Sequence, residues 1–574
     1  MRFVLAIISF VVAAVMIGAG IAQRTILLEP DHVALSSSSS TGAAVTVIDG
    51  AALNAYDGSQ RLSVSGTDDI IAAYGRTSDV LAWIGDAQYT EVGFDAEKGE
   101  LTSKLVPGTE KSVPTIEGSD LWLDEYTSAD SLAITVKVPS DVSFIMISDG
   151  KKAAPADVEL SWPVDNSTPL AGPLIVAGAV VLLLGLALLL WAINHMRSSR
   201  GPRRKPQKMP KVPRKPLVKP RSGGRRTAAG MIAVPITLVG ALVLTGCSAD
   251  FWPGSKPGAA PSASASAAPV DQAGEPPAAT VNQVERIITK ISQTTADADA
   301  AKDATLLATR FQGAALELRV ANYAITTADP SIAALAAIPA GPVKVTLPQR
   351  TDSWPRTVFA VIQDDSDSTI PPLALFLEQE DPRANYKVAY AMTLEPSAVL
   401  PKVAPAAIGA SQLADDSGVL KLTPDEVALG YADILEKDVD SDAYLDFEAE
   451  GDSLRENVGV TYKATVKSSL PSTATVAFGH ALGGADAISL ATNDAGALVA
   501  VNVNETTTVT PVEAGAAVNP TGQVKALSGL AISTKGVIAT YGDQLLFYVP
   551  PAGSDAKIIL LGYTQGLIKA GEVG

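Results

Sequence analysis

The 574-residue chain is long enough for about three or four domains. It is 47% hydrophobic and only 18% charged, which excludes a disordered polyampholyte and points to membrane segments. The net charge of −17 hides one basic stretch, residues 197–226, which holds 13 of the 44 Lys and Arg and no acid; that split argues against nucleic-acid binding and for a membrane topology signal.

The first element, residues 1–23, carries the uncharged run Phe3 to Ala22 behind Arg2. At 1.5 Å per residue those 20 residues span a hydrocarbon core of roughly 30 Å, so an anchoring helix is expected. Gly20-Ile21-Ala22 also suits a signal peptidase, which leaves removal of the segment as the alternative. Residues 24–168 follow with strand-like patterning. Leu132, Ile134, Val136 and Val138 alternate with polar or small residues, and Val142 to Ile147 runs into the turn pair Asp149-Gly150. Val80 to Ile84 and Tyr89 to Phe94 flank Gly85-Asp86 in the same way, while Ser36 to Ser40 reads as a flexible lead-in. An all-β, sandwich-like domain is predicted.

Residues 169–195 form the second apolar segment, with 24 uncharged residues from Leu170 to Ile193 and Pro173 in the first turn. The basic, Pro-rich stretch 196–226 comes next. Dense Lys/Arg beside a membrane helix stays on the cytoplasmic side, so this helix is expected to run out-to-in, with the basic loop extended along anionic lipid.

The third apolar segment, residues 227–249, is uncharged up to Asp250 and ends in Leu244-Thr245-Gly246-Cys247. That tetrapeptide resembles the lipobox of bacterial lipoproteins. Cys247 is the only cysteine of the chain, lies at the outer end of an in-to-out segment, and precedes a Pro/Ala/Ser-rich tether over residues 250–279. The resemblance implies a diacylglyceryl group on the Cys247 thiol and cleavage before it. The position departs from the family, whose lipobox lies near the N-terminus; the alternative is a plain third helix.

Beyond the tether the chain reads as two α+β modules, residues 280–405 and 415–574. In the first, Val284, Ile287, Ile288 and Ile291 mark one helix face, and Leu307, Phe311, Ala314, Leu318, Ala321 and Ile325 mark a second helix. Strands are predicted at Val343 to Leu347, Val358 to Ile362, Leu373 to Leu377 and Tyr386 to Leu394. The second module opens on the capping box Thr423-Pro424-Asp425-Glu426, with strands at Leu498 to Val503, Val537 to Tyr541, Leu545 to Val549 and Lys557 to Tyr563. Helices followed by antiparallel meanders resemble tandem NTF2-like or cystatin-like modules, a likeness of element order rather than of motif.

Chemistry-bearing constellations are few. Gly479-His480-Ala481-Leu482-Gly483 resembles the nucleophile elbow of α/β-hydrolases, but Ala481 stands where the serine belongs and no histidine follows His480, so hydrolysis by this motif is excluded. Asp438, Asp440 and Asp442 open like a calcium loop, yet Ala443 and Ala449 replace its Gly and Glu. Asp364, Asp365 and Asp367 read as a solvated cluster, and Trp83 and Trp354 as core residues in preference to sugar platforms. One cysteine and three scattered histidines (His32, His195, His480) speak against a metal centre. No catalytic or metal-binding residue is assigned, and no cofactor is expected beyond lipid on Cys247. The expected protein is a multi-pass membrane protein with three apolar segments and large extracytoplasmic domains. Its role would be non-enzymatic binding or scaffolding toward the membrane, cell-wall polymer or other envelope proteins. An enzyme of envelope glycans and a solute-binding lipoprotein are the alternatives.

Overall fold

The structure is a computed structural model and describes residues 2–28, 30–38, 41–164, 166–198, 274–364 and 369–574. Segment 227–249, with Leu244 to Cys247, lies outside them, as do most of the basic stretch and the tether. In chain order the first elements are α1 (Arg2–Thr25), β1 (His32–Ser38), β2 (Thr46–Ile48), the short α2 (Gly50–Leu53), β3 (Gln60–Arg76) and α3 (Thr77–Ile84). Then come β4 (Tyr89–Asp95), β5 (Glu100–Val106), β6 (Asp124–Val136), β7 (Val142–Ile147), β8 (Asp157–Pro163) and α4 (Ala171–Ser198). The chain divides into two bodies: residues 1–34, 57–59 and 161–270 form one, and 35–56, 60–160 and 271–574 the other.

In the first body, α1 and α4 are both long and apolar enough to cross a membrane. They pack as an antiparallel pair, because Gly20 faces Ile175, Gly178 faces Ile17, and Gly185 faces Ser9 and Phe10. A Cβ at Gly178 would stand 2.6 Å from the Ile17 side chain, so only glycine fits there. The covered positions are small and recur every seven residues on both helices: Ala6, Ala13 and Gly20 on α1, and Ala171, Gly178, Gly185 and Ala192 on α4. Small residues at that spacing let two apolar helices approach along a common seam.

In the second body, the strands before α4 form one mixed sheet in the order β1-β8-β3-β7-β2-β4-β5, with β6 paired to β3. The region is strand-rich as expected, but the two stacked sheets of a sandwich are replaced by a single sheet. The cause is the 17-residue β3, which pairs with β6 along most of its length and with β7 at its end. A second correction concerns Val80 to Ile84. It lies in α3, where Val80, Trp83 and Ile84 bury one helical face and Gly85, at φ +60°, ends the helix. The serine lead-in is corrected as well: Ser36 to Ser38 belong to β1, with the Ser38 hydroxyl donating to Asp157 at 2.7 Å.

The remaining elements are α5 (Val281–Ala301), α6 (Ala304–Leu307), α7 (Gly313–Ala328) and β9 (Val343–Pro348), β10 (Arg356–Ile362), β11 (Leu373–Gln379) and β12 (Lys387–Leu394). They are followed by α8 (Pro424–Lys437), α9 (Ser453–Val458), α10 (Val460–Ser469), β13 (Ala474–Leu482), β14 (Ile488–Ala491), β15 (Ala497–Pro511), α11 (Gly522–Ser528), β16 (Val537–Val549) and β17 (Ile559–Glu572). The expected second helix is broken. Leu307 ends α6, and Phe311 leaves the helical path to bridge Val388 before Gly313, at φ +52°, starts α7. The expected strands Val537 to Tyr541 and Leu545 to Val549 are one strand, β16.

Both helix-plus-meander stretches share one nine-stranded sheet, β13-β15-β16-β17-β12-β11-β10-β9 with β14 paired to β15, joined where Thr393 and Leu394 meet Tyr563 and Gly562. Strand alternation then builds three cores. Val358, Ala360 and Ile362 of β10 face α5 to α7, whereas Phe359 and Val361 face the opposite way. In β15, Val499, Val501 and Val503 face α8, while Leu498 and Ala500 turn to meet Phe359 and Phe376. The one sheet thus folds over a shared inner core, with its two halves back to back and helices on their outer faces.

Candidate functional site

Two places in the second body concentrate charge away from water. The first is the joint between residues 35–160 and 271–574. Asp79 lies in the first turn of α3, where an acid suits the helix dipole, and Arg76 holds it from its own side at 2.8 Å. From the other side Arg356 of β10 reaches Asp79 at 2.7 Å. The Arg356 side chain is 0% exposed, and its guanidinium stacks 3.7 Å above the Trp354 ring. A second carboxylate, Asp120, is equally sealed. It pairs with Arg310, lies 3.5 Å from Lys290, and accepts the Tyr386 N–H at 3.1 Å.

Around these pairs, side chains of the C-terminal region cap backbone carbonyls of the sheet before α4. Gln283 donates to Leu121 O at 2.9 Å while its other amide atom completes the α5 capping box with Thr280. Arg286 donates to Trp122 O, and Arg383 to Trp83 O and Ile84 O. Trp83 and Trp122 pack with tilted rings, centres 5.8 Å apart, inside the core of the N-terminal sheet, and Trp354 packs against that cluster. The two tryptophans weighed as sugar platforms therefore serve this joint. Buried ions on this scale cost desolvation, and removing one partner typically costs about 3–5 kcal/mol.

The second place is a cleft of about 130 Å³ beneath α10, lined by Tyr462, Lys463, Val466, Phe478, Glu505, Tyr541 and Gln565 among others. Lys463 Nζ is 2.5 Å from Glu505 and 5.8 Å from the centre of the Phe478 ring. Register places Asp543 of β16 opposite Gln565 and Val503, on the face of its strand that carries Tyr541. Asp543 is 0% exposed, and neither carboxyl oxygen has a hydrogen-bond partner. Burial pushes this carboxyl well above the usual range, and the neighbouring Glu505 charge adds to the rise.

The sequence candidates are distributed differently. His480 lies in β13 with Nδ1 3.0 Å from Glu436, a strand-to-helix contact with no nucleophile beside it. Asp438 is paired with Arg455, and the Ser441 hydroxyl donates to Asp433, so the calcium-like run is tied into local structure. Among the described residues no group of His, Cys, Asp and Glu is arranged to hold a metal ion. Asp365 and Asp367 lie outside the described residues, as does Cys247. Sequence reasoning missed Asp79, Asp120 and Asp543. One signal was available for the last: period 2 from Tyr541 through Leu545 and Phe547 puts Asp543 on an apolar face.

Fold and sites together define a sheet-rich protein of several parts with two helices fit to cross a membrane. Residues 275–572, just over half of the chain, match the family model DUF8094, a domain of unknown function, and the chain belongs to that family. No curated protein and no solved structure matches it.

Proposed function

We propose that this chain is a multi-pass membrane protein that holds its two large parts as one docked body on the extracytoplasmic side, for non-enzymatic binding or scaffolding in the cell envelope. The observation that carries the reading is the buried charged joint of Asp79 with Arg356 and Asp120 with Arg310. Two regions that share such a joint must share a compartment. Between them the chain holds α4, so a second crossing is required, and the sequence supplies one in residues 227–249. The 13 Lys/Arg of residues 197–226 put the intervening loop inside.

The seven-residue seam of α1 against α4 supports retention of residues 1–23 as an anchor, because a removed signal would leave Gly178 and Gly185 without their partner helix. Lipid on Cys247 belongs to the same reading, as does the likeness of the two halves of the nine-stranded sheet to NTF2-like or cystatin-like modules. Asp543 has no water-accessible surface, which argues against its transferring a proton to a substrate.

The test is compartment mapping in intact cells. In a Cys247→Ser background, single cysteines introduced at Lys98 and Asp555 should both react with a membrane-impermeant maleimide, and one at Lys208 should not. Opposite labelling of the first two would sink the reading. Fatty-acid analogue labelling of wild type but not of Cys247→Ser is the matching test for the lipid.

A further inference from the structure

We propose that β13 pairs with β13 of a second copy of this chain, antiparallel and about a twofold axis at Phe478, so that two nine-stranded sheets become one. The inference goes beyond the reading above and does not depend on it.

The border of the sheet at β13 is under-covered. From Val460 to Ala487, a run that holds α10 and all of β13, no residue is more than partly buried. A ten-residue helix is marginal in water unless one face is packed away, so this stretch lacks the cover that holds longer helices. Exposed apolar side chains gather there: Val460 and Tyr462 on α10, Leu482 at the end of β13, and Val512 just past the neighbouring β15.

The backbone of β13 is open too. Gly483 N–H donates to Asn502 O at 2.8 Å, and the unbroken register from Ala474 to Leu482 carries that alternation back along the strand. Val476, Phe478, His480 and Leu482 therefore point their N–H and C=O groups away from β15. Among the described residues no group accepts from those four N–H groups.

Other borders are guarded. β9, at the far end of the same sheet, carries Lys344 and ends on Pro348, and the chain just after it is bridged from Arg350 to Pro277. The outer strands of the N-terminal sheet, β1 and β5, are tied to each other by the Ser37 and Ser103 hydroxyls at 2.7 Å. By contrast β13 holds no Lys, Arg, Pro or acid in its nine residues.

A second copy fits this edge by symmetry. Phe478 is the midpoint of Ala474 to Leu482, and its outward N–H and C=O let it face its own copy, so the overlap runs the whole strand, about 30 Å. Phe478 then meets Phe478, His480 meets Val476, and Leu482 meets Ala474, with an aromatic pair on the axis and no like charges opposed. The flanks agree. Lys467, in the last turn of α10, precedes the start of β13, while Glu436 is held at its far half by His480 at 3.0 Å. Antiparallel pairing sets the basic flank of each copy beside the acidic flank of the other.

The test uses the full chain purified in detergent under reducing conditions, with its mass followed by sedimentation over a dilution series. Wild type should be a dimer that dissociates on dilution. Val476→Pro removes an outward N–H and spares every bond to β15. It should raise the dissociation constant by about tenfold or more, through the two hydrogen bonds lost across the axis. Ala477→Lys, at an exposed site beside the axis, should weaken the dimer by like-charge repulsion, and it covers the case in which the proline variant misfolds. In a Cys247→Ser background, Phe478→Cys should form an intermolecular disulfide on oxidation. Thr475→Cys should not, because its two copies would lie about 20 Å apart across the axis. A monomeric wild type would overturn the proposal and leave the edge to a strand of another protein. So would a dimer unmoved by both edge variants, as pairing through α1 and α4 would give, or crosslinking at Thr475→Cys in place of Phe478→Cys. Masses measured in detergent do not depend on membrane orientation, so the compartment mapping stands or falls separately.

Discussion

The joint and the cleft treat buried charge in opposite ways. At the joint, Asp79 and Asp120 are sealed from water but surrounded by Arg76, Arg356, Arg310 and Lys290, with the Tyr386 N–H also donating to Asp120 and only Arg356 Nη1 of the ion-pair groups left without a partner. Beneath the cleft floor, Asp543 is sealed just as fully and has no counter-ion of its own, while its neighbours Lys463 and Glu505 pair with each other. A paired buried ion defines which surfaces meet, because the wrong surface would leave it stranded. An acid buried without a counter-ion is instead driven toward its protonated form. The difference separates acids that fix which surfaces meet from one that ties stability to pH.

The largest expected effect breaks the joint. Asp79→Ala strands the Arg356 guanidinium in a dry site and should cost about 3–5 kcal/mol, read as a lower thermal midpoint and as faster proteolysis of the detergent-purified protein. The double variant Asp79→Leu with Arg356→Met should recover most of that loss, since both fully buried charges then leave together while Arg76, part-exposed, keeps its bond to Pro277 O. A double variant no better than the single one would mean that the ions do not carry the joint.

A milder cut leaves the ions in place. With a protease site inserted within residues 254–270, cleavage should give two fragments that still co-purify through a tag on either one. Separation under mild detergent would show that the joint depends on the covalent tether.

The cleft makes a pH prediction. Its charged and titratable neighbours are Glu505 on β15, Lys463 on α10 and Tyr431 on α8. The Asp543 carboxyl titrates higher in the folded than in the unfolded chain, so between the two values the folded state holds the extra proton. Stability therefore falls as pH rises above the ordinary carboxylate range, by up to about 1.4 kcal/mol per pH unit for one proton. Asp543→Asn should flatten the thermal midpoint against pH from about 4 upward and exceed wild type at neutral pH, whereas variants of the joint should not. An unchanged slope would remove Asp543 from the account.

The smallest effect sharpens the contrast from outside both sites. His480 and Glu436 form a partly exposed contact, so Glu436→Gln should shift stability by no more than about 1 kcal/mol near neutral pH. A shift as large as that of Asp79→Ala would show that exposure does not grade these interactions as argued.

Much of the architecture was legible in local pattern. The capping box at Thr423 starts α8 as written, since its two hydrogen bonds join residues three apart. The unbroken apolar run from Val358 to Ile362 marks a strand covered on both faces. The break at Phe311 was not legible. Steps of three and four continue through it, and only contact with Val388 on a distant strand pulls the chain off the helix. The same holds for α3, whose five apolar-rich residues fit a strand until Asp79 meets Arg76 and Arg356.

By itself the sequence determined apolar length, helix starts, strand period and the placement of positive charge. Each of these arises from interactions between residues a few positions apart or from bulk transfer into lipid. Tertiary structure alone decided that the two meanders share one sheet, that α1 and α4 lock along a seven-residue seam, and which acids found partners. Asp79 and Arg356 stand 277 positions apart, and nothing local in either tells of the other. Their pairing follows from the closing of whole surfaces, where each buried charge is met by a counter-ion or, as at Asp543, is left without one.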